Sequence, residues 1–144
     1  MNKEFINSKL TSAKELSLFF DGTPTLNGSH ILGIGVIIDG VDSIVIKMIQ
    51  NEARGGAKED AKLIIEVLES NLTNFESVAR KIYFVVSDNC SEAKLTRQTI
   101  IEILDEKYPL EVEDAIREVI KCSGKSSFML RFSIFYLSAR VCTS

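Results

Sequence analysis

Apolar positions fall into two regimes along the chain: short runs separated by glycine turns, then longer stripes at helical spacing. Residues 16–21 (LSLFFD) are an aromatic-rich apolar run ending on Asp21-Gly22, which predicts a buried strand. Residues 23–28 (TPTLNG) read as a loop, with Asn27-Gly28 as a hairpin signal. Residues 30–39 (HILGIGVIID) predict a second strand. Gly33 and Gly35 share one of its faces and mark a place where another backbone approaches closely. Asp39-Gly40 is the next tight turn, and residues 43–50 (SIVIKMIQ) predict a third strand. Three strands joined by short turns form an antiparallel meander.

After Gly55-Gly56 the period changes. Ala57, Ala61, Ile64, Ile65, Leu68 and Leu72 form one stripe, which predicts a helix over 57–72 with Glu59 and Asp60 in its first turn. Residues 81–88 (KIYFVVSD) carry an unbroken apolar run from Ile82 to Val86. Such a run is buried on both faces, as in a central strand beside a parallel neighbour. A helix is predicted over 92–108, ended by Pro109, and a further helix over 112–121. The order β-β-β-α-β-α-α needs a right-handed crossover into the 81–88 strand. The expected fold is α/β: a mixed sheet made of an antiparallel three-stranded meander plus parallel strands, with helices on the faces. Residues 1–15 then form an N-terminal extension, 16–121 the core, and 122–144 a tail.

Composition fits one domain and narrows the chemistry. The chain has 144 residues, 45% apolar and 26% charged, which excludes a wholly disordered chain. A net charge of -3 supplies no global basic field for nucleic acid. Cys90, Cys122 and Cys142 form no CxxC, and His30 is the one histidine, so a structural zinc site is not expected. The first sixteen residues lack an apolar leader core, which implies reduced thiols and an intracellular setting. The apolar stretch 128–137 contains Arg131 and is too short to cross a bilayer, so no membrane partner is expected.

Asp21 and Asp88 each end a buried apolar strand. If those strands are adjacent and parallel, both acids emerge at the sheet edge where open α/β sheets bind ligands. Two neighbouring carboxylates repel, and a divalent cation offsets the repulsion. Oxygen ligands suit Mg²⁺ or Mn²⁺, which drive phosphodiester hydrolysis or transfer. The ordinary alternative is turn and cap chemistry: Asp-Gly is a common turn, and Ser87, Asp88 or Asn89 would cap a helix starting near Ser91.

Two stretches, FFDGTPTLNGSHILGIGVIIDG (19–40) and IYFVVSDNCSEAKLTRQTIIEI (82–103), resemble the core of hAT-superfamily transposases. Phe20-Asp21-Gly22 fits that family's first acidic turn, and Val86-Ser87-Asp88-Asn89-Cys90 fits its second strand end. The similarity spans Leu18 to Lys107. It implies an RNase H-like fold, with Asp21 and Asp88 as catalytic metal ligands for Mg²⁺- or Mn²⁺-dependent phosphoryl transfer on DNA. DNA would be the partner and, in a eukaryote, the nucleus the location. Thr23 stands where the family commonly has tryptophan, and no histidine follows Asp88. The family's third acid lies beyond an inserted helical domain that this chain is too short to hold. The resemblance therefore implies a truncated or decayed transposase-like domain, inactive on its own.

Further candidates surround these two acids. Asp60 is a third metal ligand if the chain works as a compact RNase H-like nuclease; otherwise it complements the helix dipole. Lys94 and Arg97 follow the Asp88 loop and either contact a phosphate backbone or solvate the surface. His30 reads as a hairpin residue and Cys90 as a small packing residue. Seven acids between Glu102 and Glu118, against Lys107 and Arg117, would repel DNA from their own face. The apolar, basic tail is a surface for self-association or a protein partner. A non-enzymatic interaction module derived from a transposase is the competing reading.

Overall fold

The computed structural model describes residues 3–24, 30–51, 56–88 and 91–122. The elements are α1 (Lys3–Ser12), β1 (Leu16–Pro24), β2 (His30–Ile38), β3 (Asp42–Asn51), α2 (Ala57–Asn71), α3 (Phe75–Ala79), β4 (Ile82–Asp88), α4 (Ser91–Lys107) and β5 (Glu118–Cys122). One five-stranded sheet has the order β3-β2-β1-β4-β5. β1, β2 and β3 form the antiparallel meander, while β1 pairs with β4 and β4 with β5 in parallel. β2 alone runs against the other four, giving the α/β mixed sheet expected from the sequence, an antiparallel meander plus parallel strands.

The β2–β3 turn shows how local chemistry sets this order. Asp39 and Gly40 both have positive φ, 51° and 74°, the combination that matches the twist of a two-stranded ribbon. Asp39 is held there by its surroundings. Its Oδ1 accepts the backbone N–H groups of Lys14 (3.0 Å) and Glu15 (2.9 Å), and its own N–H donates to the Glu15 carbonyl. The turn thus fixes the chain entering β1.

Alternation along the strands divides the core in two. Leu16, Leu18 and Phe20 of β1, with Ile34, Val36 and Ile38 of β2 and Val85 of β4, belong to the main cluster. Buried residues of all four helices feed that same cluster. Phe19, Ile37, Val45 and Val86 form a smaller cluster on the opposite face, with Phe84 packed against it. β4 is therefore buried on both faces, as its unbroken run predicts. Its register against β1 slips between Leu16 and Ser17, so Tyr83 is the extra residue on β4.

Three elements depart from the sequence reading. Residues 1–15 do not stand apart as an extension: α1 buries Ile6 and Leu10, and Ala13 follows them into the core. The ammonium of Lys81, itself buried, donates to the carbonyls of Leu10 (2.7 Å), Thr11 (2.9 Å) and Ala13 (2.9 Å), closing the C-terminal end of α1. The short α3 had no periodic signal.

The helix expected over 112–121 is instead a turn followed by β5. Val112, Ala115, Ile116, Val119 and Ile120 do have helical spacing, but Asp114 at φ 65° breaks the helix, and 118–122 pair with β4. Residues 25–29, 52–55, 89–90 and 123–144 lie outside the described set. The expectations for the Asn27-Gly28 hairpin, Gly55, Cys90 and the tail fall there.

Candidate metal and catalytic site

β1 and β4 are neighbours in the centre of the sheet, and they run in parallel. Phe19 is level with Val86. The paired ladder ends there, with Asp21 and Asp88 two residues further along each chain. Adjacent strands are about 4.8 Å apart. Asp88 ends β4, but β1 does not stop at Asp21-Gly22 as expected: it continues to Pro24, paired with β2 through His30, because the antiparallel ladder carries Gly22, Thr23 and Pro24 as strand.

The Asp21 side chain is half-buried and shares the parity of Phe19. Its partner on β2 is Gly33, so no side chain of β2 flanks it there. Gly35, the next glycine on that face, has a stricter role. A Cβ at 35 would lie 2.4 Å from Phe19 Cζ and 2.5 Å from the Ile44 carbonyl oxygen. The close backbone approach expected at these glycines occurs at Gly35, where the Phe19 ring also lies.

Asp60 is half-buried in the first turn of α2, with its N–H bonded to the Gly56 carbonyl at 2.9 Å. That end of α2 is tied to α4: Thr96 Oγ1 donates to the Ala57 carbonyl at 3.3 Å, with Thr96 2% exposed. Among the described residues, no group of three or more His, Cys, Asp or Glu side chains is placed to hold a metal ion.

Arg97 is a correction. It was expected at the surface, either on a phosphate or in solvent, but is fully buried at 0% exposure. Its Nη1 donates to Ser87 Oγ, so Ser87 accepts from α4 within the core and is 1% exposed. Lys94, one turn earlier, is exposed and remains available to solvent or a ligand. His30 sits in register with Pro24 on β1 and Asn51 on β3.

An open cavity of about 330 Å³ lies elsewhere, lined by Lys14, Glu15, Tyr83, Phe84, Ile116 and Glu118. These residues precede or begin β1, β4 and β5, so the cavity is at the N-terminal ends of the parallel strands, opposite the Asp21–Asp88 end. Arg117, missed in the sequence, organises this region. It is buried and donates to the carbonyls of Ile82 (2.9 Å), Ala79 (2.9 Å) and Tyr108, and to Asp105 Oδ1 (2.6 Å). These contacts put the acidic stretch 102–118 at the N-terminal ends of the parallel strands too. Nearby, Tyr108 donates its phenol to Glu69 Oε2 at 2.6 Å and meets Phe75 edge-on at 5.2 Å. The Glu69 hydrogen bond, with burial and the Glu69 and Glu76 charges, pushes the Tyr108 phenol up to about 12.

Among known proteins, no family model, curated protein or solved structure matches the chain. Among the described residues, no helix is long and apolar enough to cross a membrane.

Proposed function

We propose that the chain is an incomplete transposase-like domain of hAT type, related to metal-dependent DNA phosphoryl transfer and inactive on its own. The observation that supports this reading is the parallel pairing of β1 with β4 in the sheet centre, with Asp21 and Asp88 each two residues beyond the last pair, Phe19 and Val86. Their carboxylates would supply two oxygen ligands to Mg²⁺ or Mn²⁺, with waters completing the shell. The bound ion would activate an attacking oxygen and steady a leaving one. Asp21 and Asp88 would hold and orient it, and among the described residues no third acid joins them. Asp60 is the acid on α2 whose helix end is tied to α4. The acidic stretch lies at the other end of the sheet, so it does not repel a DNA backbone from the Asp21–Asp88 end.

The decisive experiment is an NMR titration of the folded chain with Mg²⁺ and Mn²⁺. Saturable shifts centred on Asp21 and Asp88, lost in Asp21→Asn and Asp88→Asn, are expected. A well-folded chain without focused shifts removes the metal site. Mg²⁺-dependent DNA cleavage lost in Asp21→Asn would sink the claim of inactivity. Cleavage of an RNA–DNA hybrid abolished by Asp60→Asn would favour a compact nuclease.

A non-enzymatic interaction module is favoured by a different observation. Val112, Ile116 and Ile120 are exposed, Ile116 at 79%, on and before the edge strand β5. Light scattering on the chain separates the two: a strict monomer argues against self-association through that region.

A further inference from the structure

The least expected group in the molecule is the buried guanidinium of Arg97. A permanent cation out of water is costly unless it is hydrogen-bonded and compensated, and an apolar side chain of similar length would fill the space without that cost. Arg97 is instead bonded to Ser87, the residue directly before Asp88. The adjoining Thr96 bonds to Ala57, the first residue of α2, three residues before Asp60. One turn of α4 therefore holds both the end of β4 and the start of α2.

The geometry points to Arg97 as a positioning residue, fixing the end of β4 against α4 so that positions 21 and 88 keep a spacing able to bind one divalent cation. This rests on the metal reading above. A planar guanidinium fixes direction as well as distance, which a lysine ammonium does not.

The test uses the full chain and Mn²⁺ alone, with binding followed by electron paramagnetic resonance well below the melting temperature. Wild type is compared with Arg97→Met, Arg97→Lys and Ser87→Ala, each checked for a native NMR spectrum. Outer supports of a metal site change affinity by about 10–100-fold. Arg97→Met is expected to fall in that range and Ser87→Ala near its lower end. Arg97→Lys should recover part of the loss.

If Arg97→Met does not fold, Ser87→Ala decides, because it keeps the cation and removes only the acceptor. Wild-type affinity in any folded Arg97→Met or Ser87→Ala protein overturns the positioning role while leaving the metal site standing. No Mn²⁺ binding by wild type removes the metal reading and this inference with it.

Discussion

Replacing Arg117 with methionine tests what joins β5 to the rest of the fold. Arg117 makes a salt bridge to Asp105 and hydrogen bonds to the carbonyls of Ile82, Ala79 and Tyr108. The ion pair is asymmetric: the Arg117 side chain is 0% exposed and that of Asp105 57%. Ion pairs with an exposed partner contribute about 0.2–1 kcal/mol, so Asp105→Asn is expected to cost no more than about 1 kcal/mol. Arg117→Met strips hydrogen bonds from three backbone carbonyls at the junction of α3, β4 and the α4–β5 connection. Leaving a buried acceptor unpaired costs about 1–3 kcal/mol, so three carbonyls put the loss at about 3 kcal/mol or more. Urea denaturation reads both. With a slope of about 1–3 kcal/mol per molar, Arg117→Met should lower the midpoint by one molar or more, and Asp105→Asn by much less. Equal losses in the two variants would refute the reasoning, because the charge pair and not the carbonyls would then carry the anchor. Arg117→Lys should recover only a part, since one ammonium nitrogen replaces the separate Nε, Nη1 and Nη2 donors that reach Ile82, Asp105, Ala79 and Tyr108.

Three further outcomes follow from the structure. Gly35→Ala should destabilise the chain by about 1–3 kcal/mol in urea and displace the Phe19 ring, seen as altered aromatic NMR shifts, because its Cβ would meet both that ring and a backbone oxygen. Tyr108 should ionise near 12 by its absorbance at alkaline pH, and Glu69→Gln should lower that value. Because the folded phenol titrates above the ordinary 10.0 of an unfolded chain, its contribution to stability is complete below pH 10 and is lost between about 10 and 12. Lys81→Met should loosen α1 first, raising amide exchange over Ile6–Ser12 ahead of the sheet, since three carbonyls at the end of that helix lose their donor.

Much of the scaffold was legible because it depends on local pattern. The strands β1, β2, β3 and β4 and the helices α2 and α4 follow from apolar runs and period, with glycine turns between them. The unbroken run Ile82–Val86 could be assigned to the sheet centre because burial on both faces leaves no polar side to alternate with. Asp88 was visible as an acid closing such a strand, whereas β1 runs on past Asp21 to Pro24 because its pairing with β2 continues. Asp60 was visible as an acid in a first turn. The parallel register of β1 on β4 was not, because it depends on pairing between strands more than sixty residues apart.

What the sequence alone determined is the set of elements whose burial pattern is periodic, the meander and Asp88 as the acid that ends β4. Only the tertiary structure decided the rest. Residues 112–120 carry a helical stripe yet supply an edge strand, because pairing with β4 outweighs a local period that Asp114 interrupts. Residues 3–12 have a weak stripe yet form a helix, because Lys81 closes its end and Ile6 and Leu10 reach the core. Arg97, Lys81 and Arg117 look like surface charges in a sequence. Each is buried because the carbonyls and hydroxyl that bond it come from distant segments, and those are assembled only when the chain has folded.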